Sequence, residues 1–93
     1  MSAAVTARAI VSGFVQGVGY RYFVIDLANI LKVNGLVRNL PDGKVEVIAQ
    51  AEKEYLDRFI ARLSKGPASA RVAGVDVEYI DGSAVYDDFR ISY

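Results

Sequence analysis

The feature that most constrains this chain is the way its hydrophobic period switches along the sequence. Alternating apolar residues bury one face of a strand, whereas apolar residues three and four apart bury one stripe of a helix. Ala7–Phe14 is β-prone and runs into glycine-rich sequence, so it reads as a strand. From Arg21 the period is helical: Phe23, Leu27, Ile30 and Leu31 share a stripe, Asp26 and Lys32 lie off it, and Asn34–Gly35 breaks the helix. Leu36–Leu40 reads as a short strand. Pro41–Asp42–Gly43 follows as a tight turn, because proline presets one turn dihedral and glycine accepts a positive φ. Lys44–Ala51 returns as the second strand of the hairpin, with Val45, Val47 and Ala49 on one face and Glu46, Ile48 and Gln50 on the other.

The pattern then repeats. Lys53–Lys65 carries a helical stripe of Leu56, Phe59, Ile60 and Leu63, and Glu54–Arg58 on its outer face is a favourable i,i+4 pair. Gly66–Pro67 stops the helix. Val72–Ile80 alternates again, with Val75, Val77 and Tyr79 against Asp76 and Glu78. Asp81–Gly82–Ser83 turns the chain, and Phe89, Ile91 and Tyr93 alternate in a short C-terminal strand. The order β-α-β-β-α-β predicts an α+β, ferredoxin-like sandwich: a four-stranded antiparallel sheet with two helices on one face. At 93 residues, one domain spanning 1–93 is expected.

That fold serves many unrelated functions, so composition must narrow the choice. The chain has no cysteine and no histidine. Thiolate nucleophiles, disulfides, ferredoxin-type cysteine clusters and the Ser–His–Asp arrangement are therefore excluded. Catalysis must rely on Arg, Lys, Asn, carboxylates, hydroxyls or backbone amides, which favours positioning and electrostatics. Eleven basic residues balance 11 acidic ones, and the expected central strands, Ala7–Ile10 and Lys44–Ala49, hold no aromatic residue. Both features argue against nucleic-acid binding. No apolar run approaches the roughly 18 residues of a membrane span, and Met1–Thr6 lacks the pattern of a secretory signal, so a cytosolic location is expected.

The loop Gly13–Phe14–Val15–Gln16–Gly17–Val18–Gly19–Tyr20–Arg21 joins the first strand to the first helix. Its glycines permit unusual backbone dihedrals and leave the amides open to a ligand. No Ser, Thr, Asp or Asn is available from Gly13 to Tyr20 to cap the helix, so its first N–H groups lack an obvious partner and could serve an anion. Arg21 adds a permanent charge and a planar fork of donors suited to phosphate oxygens. The plainer alternative is an ordinary strand-to-helix turn with a solvent-facing Arg21. The spacing matches neither of the familiar glycine-rich nucleotide loops.

Val15–Gln16–Gly17–Val18–Gly19–Tyr20–Arg21 is similar to the first signature of the acylphosphatase family, and Gly35–Leu36–Val37–Arg38–Asn39 with Asp42–Gly43–Lys44–Val45–Glu46 resembles its second. The resemblance implies hydrolysis of an acyl phosphate to carboxylate and inorganic phosphate, without metal or cofactor. The backbone amides of Gln16, Gly17, Val18, Gly19, Tyr20 and Arg21 would cradle the phosphate. Arg21 would bind its oxygens, and Asn39 would orient the attacking water. Read locally, Asn39 could instead bond the backbone of the turn that follows it. The expected partners are small acyl phosphates and inorganic phosphate, with no nucleic acid and no membrane, and a monomer is expected. The resemblance also suggests a pairing of the Tyr93 carboxylate with Arg21. Three residues depart from the family pattern: Leu36 replaces an aromatic residue, while Ala51 and Lys32 replace glycines. A non-catalytic phosphate-binding module on the same fold is the alternative, and Asn39 discriminates the two, since a pure binder needs no water-orienting group.

Overall fold

The computed structural model describes residues 4–80 and 84–93. The turn expected at Asp81–Gly82–Ser83 and the first three residues of Met1–Thr6 lie outside the described residues. The elements run β1 (Ala4–Phe14), α1 (Tyr20–Leu31), β2 (Asn34–Asn39), β3 (Val45–Glu52), α2 (Lys53–Leu63), β4 (Arg71–Ile80) and β5 (Phe89–Ile91).

The sheet order is β4-β1-β3-β2-β5. The first four strands pair antiparallel, as the alternating segments require. The short C-terminal strand adds a fifth member, and it runs parallel to β2, with Gly35 opposite Phe89 and Val37 opposite Ile91. The four-stranded antiparallel sheet thus gains a parallel edge. Gly35 N donates to Asp88 O at 2.8 Å and Ser92 N to Val37 O at 2.9 Å across that edge. Gly35 also approaches β3 so closely that a Cβ there would collide with the Ile48 carbonyl.

The helices pack on one face of the sheet. Ala7, Ala9 and Val11 of β1, Val37 of β2 and Val45, Val47 and Ala49 of β3 are buried there with Leu56, Phe59 and Leu63 of α2. The stripe of α2 agrees with its sequence pattern, although the helix ends at Leu63 rather than Lys65, and Arg58 meets Glu54 at 3.0 Å. The stripe of α1 differs. Its buried residues are Tyr20, Val24, Leu27 and Ala28, whereas Ile30 is 76% exposed. At 3.6 residues per turn, Ile30 lies about 100° around the axis from Leu31, off the buried face. Valine and alanine suit that face because small side chains let the helix sit close to the sheet.

The opposite face carries charge. Glu46 is only 6% exposed and accepts from Arg8 Nε and Arg38 Nε, each at 2.6 Å. On the edge strand β4, Val77 and Tyr79 keep the expected alternation yet remain exposed. Among the described residues, no helix is long and apolar enough to cross a membrane.

Candidate active site

Strand β1 hands the chain to α1 through residues 15–19. Val15 is buried and anchors the start of this loop. Gly19 is the N-cap of α1, with φ 80° and ψ 11°, and no side chain caps the helix. Only at Phe23 does the backbone close a turn, donating to Gly19 O at 3.0 Å. The missing cap read from the sequence is therefore a feature of the fold, and the helix start retains its partial positive charge.

A cavity of about 240 Å³ opens here, lined by Val15, Gly17, Gly19, Tyr20, Arg21 and Tyr22. That volume suits a small anion with a short organic group better than a drug-sized ligand, which needs ~300 Å³ or more. Four of the expected cradle residues, Gly17, Gly19, Tyr20 and Arg21, line it directly. The side chain of Gln16 and the side chain and carbonyl of Val18 are engaged outside it. Gln16 Nε2 donates to Leu40 O at 2.8 Å and Lys44 O at 2.9 Å. Val18 packs against the core, and its carbonyl accepts from Ser69 Oγ at 2.6 Å.

Arg21 makes no ion pair among the described residues. The expected pairing with the Tyr93 carboxylate is absent. The ring of Tyr93 meets the guanidinium instead, with the Arg21 carbon 5.7 Å from the ring centroid. Tyr93 is 97% exposed, so this cation–π contact is worth at most about 0.5–1 kcal/mol and leaves the guanidinium available to an anion.

Asn39 is the last residue of β2, paired with Val45 of β3. Its Oδ1 is the one buried side-chain polar atom without a hydrogen-bond partner among the described residues. Within the turn that follows, Asp42 Oδ1 accepts from Lys44 N at 3.0 Å. Gln16 grips the same turn, so the loop and the strand end carrying Asn39 are tied together.

Three supporting side chains escaped the sequence reading. Gln16 is visible there only as a polar residue in a loop otherwise free of caps. Ser69 contacts a residue 51 positions away and leaves no local signal. The Tyr20 hydroxyl donates to Leu63 O at 2.8 Å inside the protein, and burial raises its phenol well above the ordinary value of 10.0. Nothing local in the sequence marks Leu63 O, 43 positions away, as its partner.

The departures from the family pattern find structural places. Lys32 ends α1 in the left-handed conformation, φ 57° and ψ 46°, where glycine is favoured. Ala51 is buried near the end of β3. Leu36 lies beside Val85, Tyr86 and Arg90, away from the loop cavity. A larger cavity, about 420 Å³, is lined by Leu31, Arg58, Ala61, Arg62 and Lys65. It shares no residue with the loop, and its cations gather near the C-terminal end of α2, where they complement the helix dipole.

A family model described as acylphosphatase matches residues 7–91. The acylphosphatase of Deinococcus radiodurans is 52% identical over 71 residues, covering 76% of this chain and 82% of that protein. That of Anaeromyxobacter dehalogenans is 41% identical over 93 residues, covering 100% of both. The crystal structure of acylphosphatase from Bacillus subtilis superposes with a TM-score of 0.92 at 35% identity, covering 96% of this chain and 99% of that one. With a family model over residues 7–91, relatives matched along the full chain and a matching fold, the chain belongs to the acylphosphatase family, hydrolases that act on acyl phosphates.

Proposed function

We propose that this protein hydrolyses the carboxyl–phosphate bond of small acyl phosphates at the loop cavity, releasing carboxylate and inorganic phosphate. The backbone amides from Gln16 to Arg21 hold the phosphate at the open end of α1, and the Arg21 guanidinium binds its oxygens. Asn39 holds the attacking water. Phosphoryl transfer demands little beyond positioning and charge stabilisation, which is what these groups supply. The carboxylate is a good leaving group, so no strong acid is needed. Water attacks phosphorus, the P–O bond to the acyl group breaks, and the substrate's own phosphate oxygens accept the water's proton.

The observation that carries this reading is the partnerless, buried Oδ1 of Asn39. A buried polar atom without a partner is rare and costs stability, and the strand end that carries this one is tied to the loop by Gln16, so a free acceptor there supports a water-holding role. An acceptor is what a water O–H needs. A module that only bound phosphate would have no use for it. The same reading takes residues 1–93 as one domain acting as a cytosolic monomer.

Hydrolysis of benzoyl phosphate by the wild type, Arg21→Ala and Asn39→Ala tests the assignment. Loss of Arg21 should lower kcat/KM at least ~100-fold and abolish inhibition by inorganic phosphate, as expected when a main charge-stabilising donor is removed. Asn39→Ala should lose ~100-fold in kcat while phosphate inhibits as before. A wild type without activity above background would exclude the enzyme. A fully active Asn39→Ala would exclude the water-holding role.

A further inference from the structure

We propose that Ser69, which lies outside both signature motifs, is a positioning residue that fixes the direction of one cradle amide. The inference rests on the phosphate-binding role of the loop proposed above. Ser69 sits in the connection between α2 and β4, is exposed, and is not among the residues lining the cavity. Its hydroxyl donates to the Val18 carbonyl at 2.6 Å.

The consequence follows from the planarity of the peptide. The Val18 carbonyl and the Gly19 N–H belong to one trans unit and point in opposite directions. Holding the carbonyl toward Ser69 therefore holds the Gly19 N–H away from Ser69, and Gly19 is one of the residues that line the cavity. Left alone, this unit has a second state. Glycine takes positive and negative φ with similar ease, so the Val18–Gly19 peptide can flip at little cost. The flipped unit would aim a carbonyl oxygen, with its partial negative charge, at the phosphate. Gly19 has φ 80°, and a Cβ built on it would meet nothing within 4 Å, so the loop is uncrowded on that side. A loop that needs glycine for access thus needs an outside group to choose the peptide direction. The Ser69 hydroxyl is that group.

Its neighbours hold Ser69 in place. Ala70 N donates to Pro67 O at 3.0 Å, closing the turn that presents the hydroxyl. At Gly66, just before that turn, an added Cβ would come within 3.3 Å of the Tyr20 ring at the base of α1, so the two segments run close together. The connection is therefore registered against α1 before Ser69 reaches across.

The test compares wild type, Ser69→Ala and Ser69→Thr, with inorganic phosphate and benzoyl phosphate as probes, well below the unfolding midpoint of each. In Ser69→Ala, the inhibition constant of phosphate and the KM should each rise about three- to fivefold, the low range for one hydrogen bond at an exposed site, with kcat within about twofold. Ser69→Thr keeps the hydroxyl and should stay within about twofold of wild type in all three. The phosphate-induced shift of the Gly19 amide resonance should shrink in Ser69→Ala and persist in Ser69→Thr, which a merely structural hydroxyl would not produce. Unchanged phosphate affinity in Ser69→Ala would overturn the inference alone. So would weakening of equal size in both variants, or a full Gly19 shift in Ser69→Ala. A wild type that neither binds phosphate nor hydrolyses benzoyl phosphate would overturn the site assignment as well.

Discussion

Gln16 Nε2 donates to Leu40 O at 2.8 Å, joining the phosphate loop to the residue that follows Asn39. Its second bond, to Lys44 O at 2.9 Å, grips the other side of the Pro41–Asp42–Gly43 turn. One side-chain amide therefore bridges the loop and both arms of the hairpin. The phosphate-holding and water-holding halves of the proposed site are tied together by that amide.

We expect Gln16→Ala to lower kcat about tenfold, because a displacement near 1 Å between reacting groups can cost up to ~100-fold in rate. Inhibition by inorganic phosphate should weaken by less than about threefold, since the loop amides themselves remain. Gln16→Glu should not rescue the rate, as a carboxylate cannot donate to two carbonyls. Steady-state kinetics on benzoyl phosphate check this, and an unchanged kcat would show that the bridge is dispensable.

Tyr20 links the N-terminal end of α1 to the C-terminal end of α2. The last carbonyls of a helix have no partner within the helix, and Leu63 O is one of these. Tyr20→Phe leaves it without the buried hydroxyl that satisfies it, at an expected loss of about 1–2 kcal/mol. For a domain of this size, each kcal/mol lowers Tm by roughly 4–8 °C. Burial raises the folded-state phenol above 10.0, so its contribution is complete below that pH and is lost as the solution becomes more alkaline. Thermal unfolding at neutral and alkaline pH should show a steeper alkaline loss in wild type than in Tyr20→Phe.

Lys32 occupies a left-handed site that disfavours side chains by roughly 1–2 kcal/mol. Glycine relieves that strain but gains freedom in the unfolded chain, offsetting about 0.4–1 kcal/mol. Lys32→Gly should therefore stabilise the protein by about 0.5–1 kcal/mol, measured by urea unfolding at constant m-value. Lys32→Ala is the control. It retains the strain, so a gain equal to that of glycine would assign the effect to the lysine charge rather than to φ.

The elements legible in the sequence were those with a local period. Leu56, Phe59 and Leu63 announce α2, and Val45, Val47 and Ala49 announce β3, because burial on one face leaves a repeat that no other conformation explains. The α1 face was misread at Ile30 for a related reason. Ile30 is the more hydrophobic residue, but Val24 and Ala28 are the ones that fit between helix and sheet. The parallel pairing of β5 with β2 depends on contacts across the length of the chain and has no local sign. The candidate site divides in the same way. The uncapped start of α1 could be read from which residues the loop lacks. Gln16 and Ser69 act through backbone carbonyls far along the chain, and any residue type can supply a carbonyl, so the sequence carries no mark of the acceptor.

Glu46 ties stability to pH. Burial alone would raise its carboxyl, but hydrogen bonds from Arg8 and Arg38 outweigh burial and hold it below the ordinary 4.5. The folded protein therefore binds this proton less readily than the unfolded chain. The resulting stability is present above about pH 4.5 and is lost as pH falls through that value toward the folded-state one. Glu46→Gln should cost about 2 kcal/mol at neutral pH, below the 3–5 of a fully buried pair because both arginines are partly exposed. Between about pH 5 and pH 3, however, the variant should lose less stability than wild type, since it has no carboxylate to protonate here. Urea unfolding across that range measures both slopes. Parallel slopes would mean that the two arginines leave the titration of Glu46 unchanged on folding, and that the neutral-pH loss comes from packing alone.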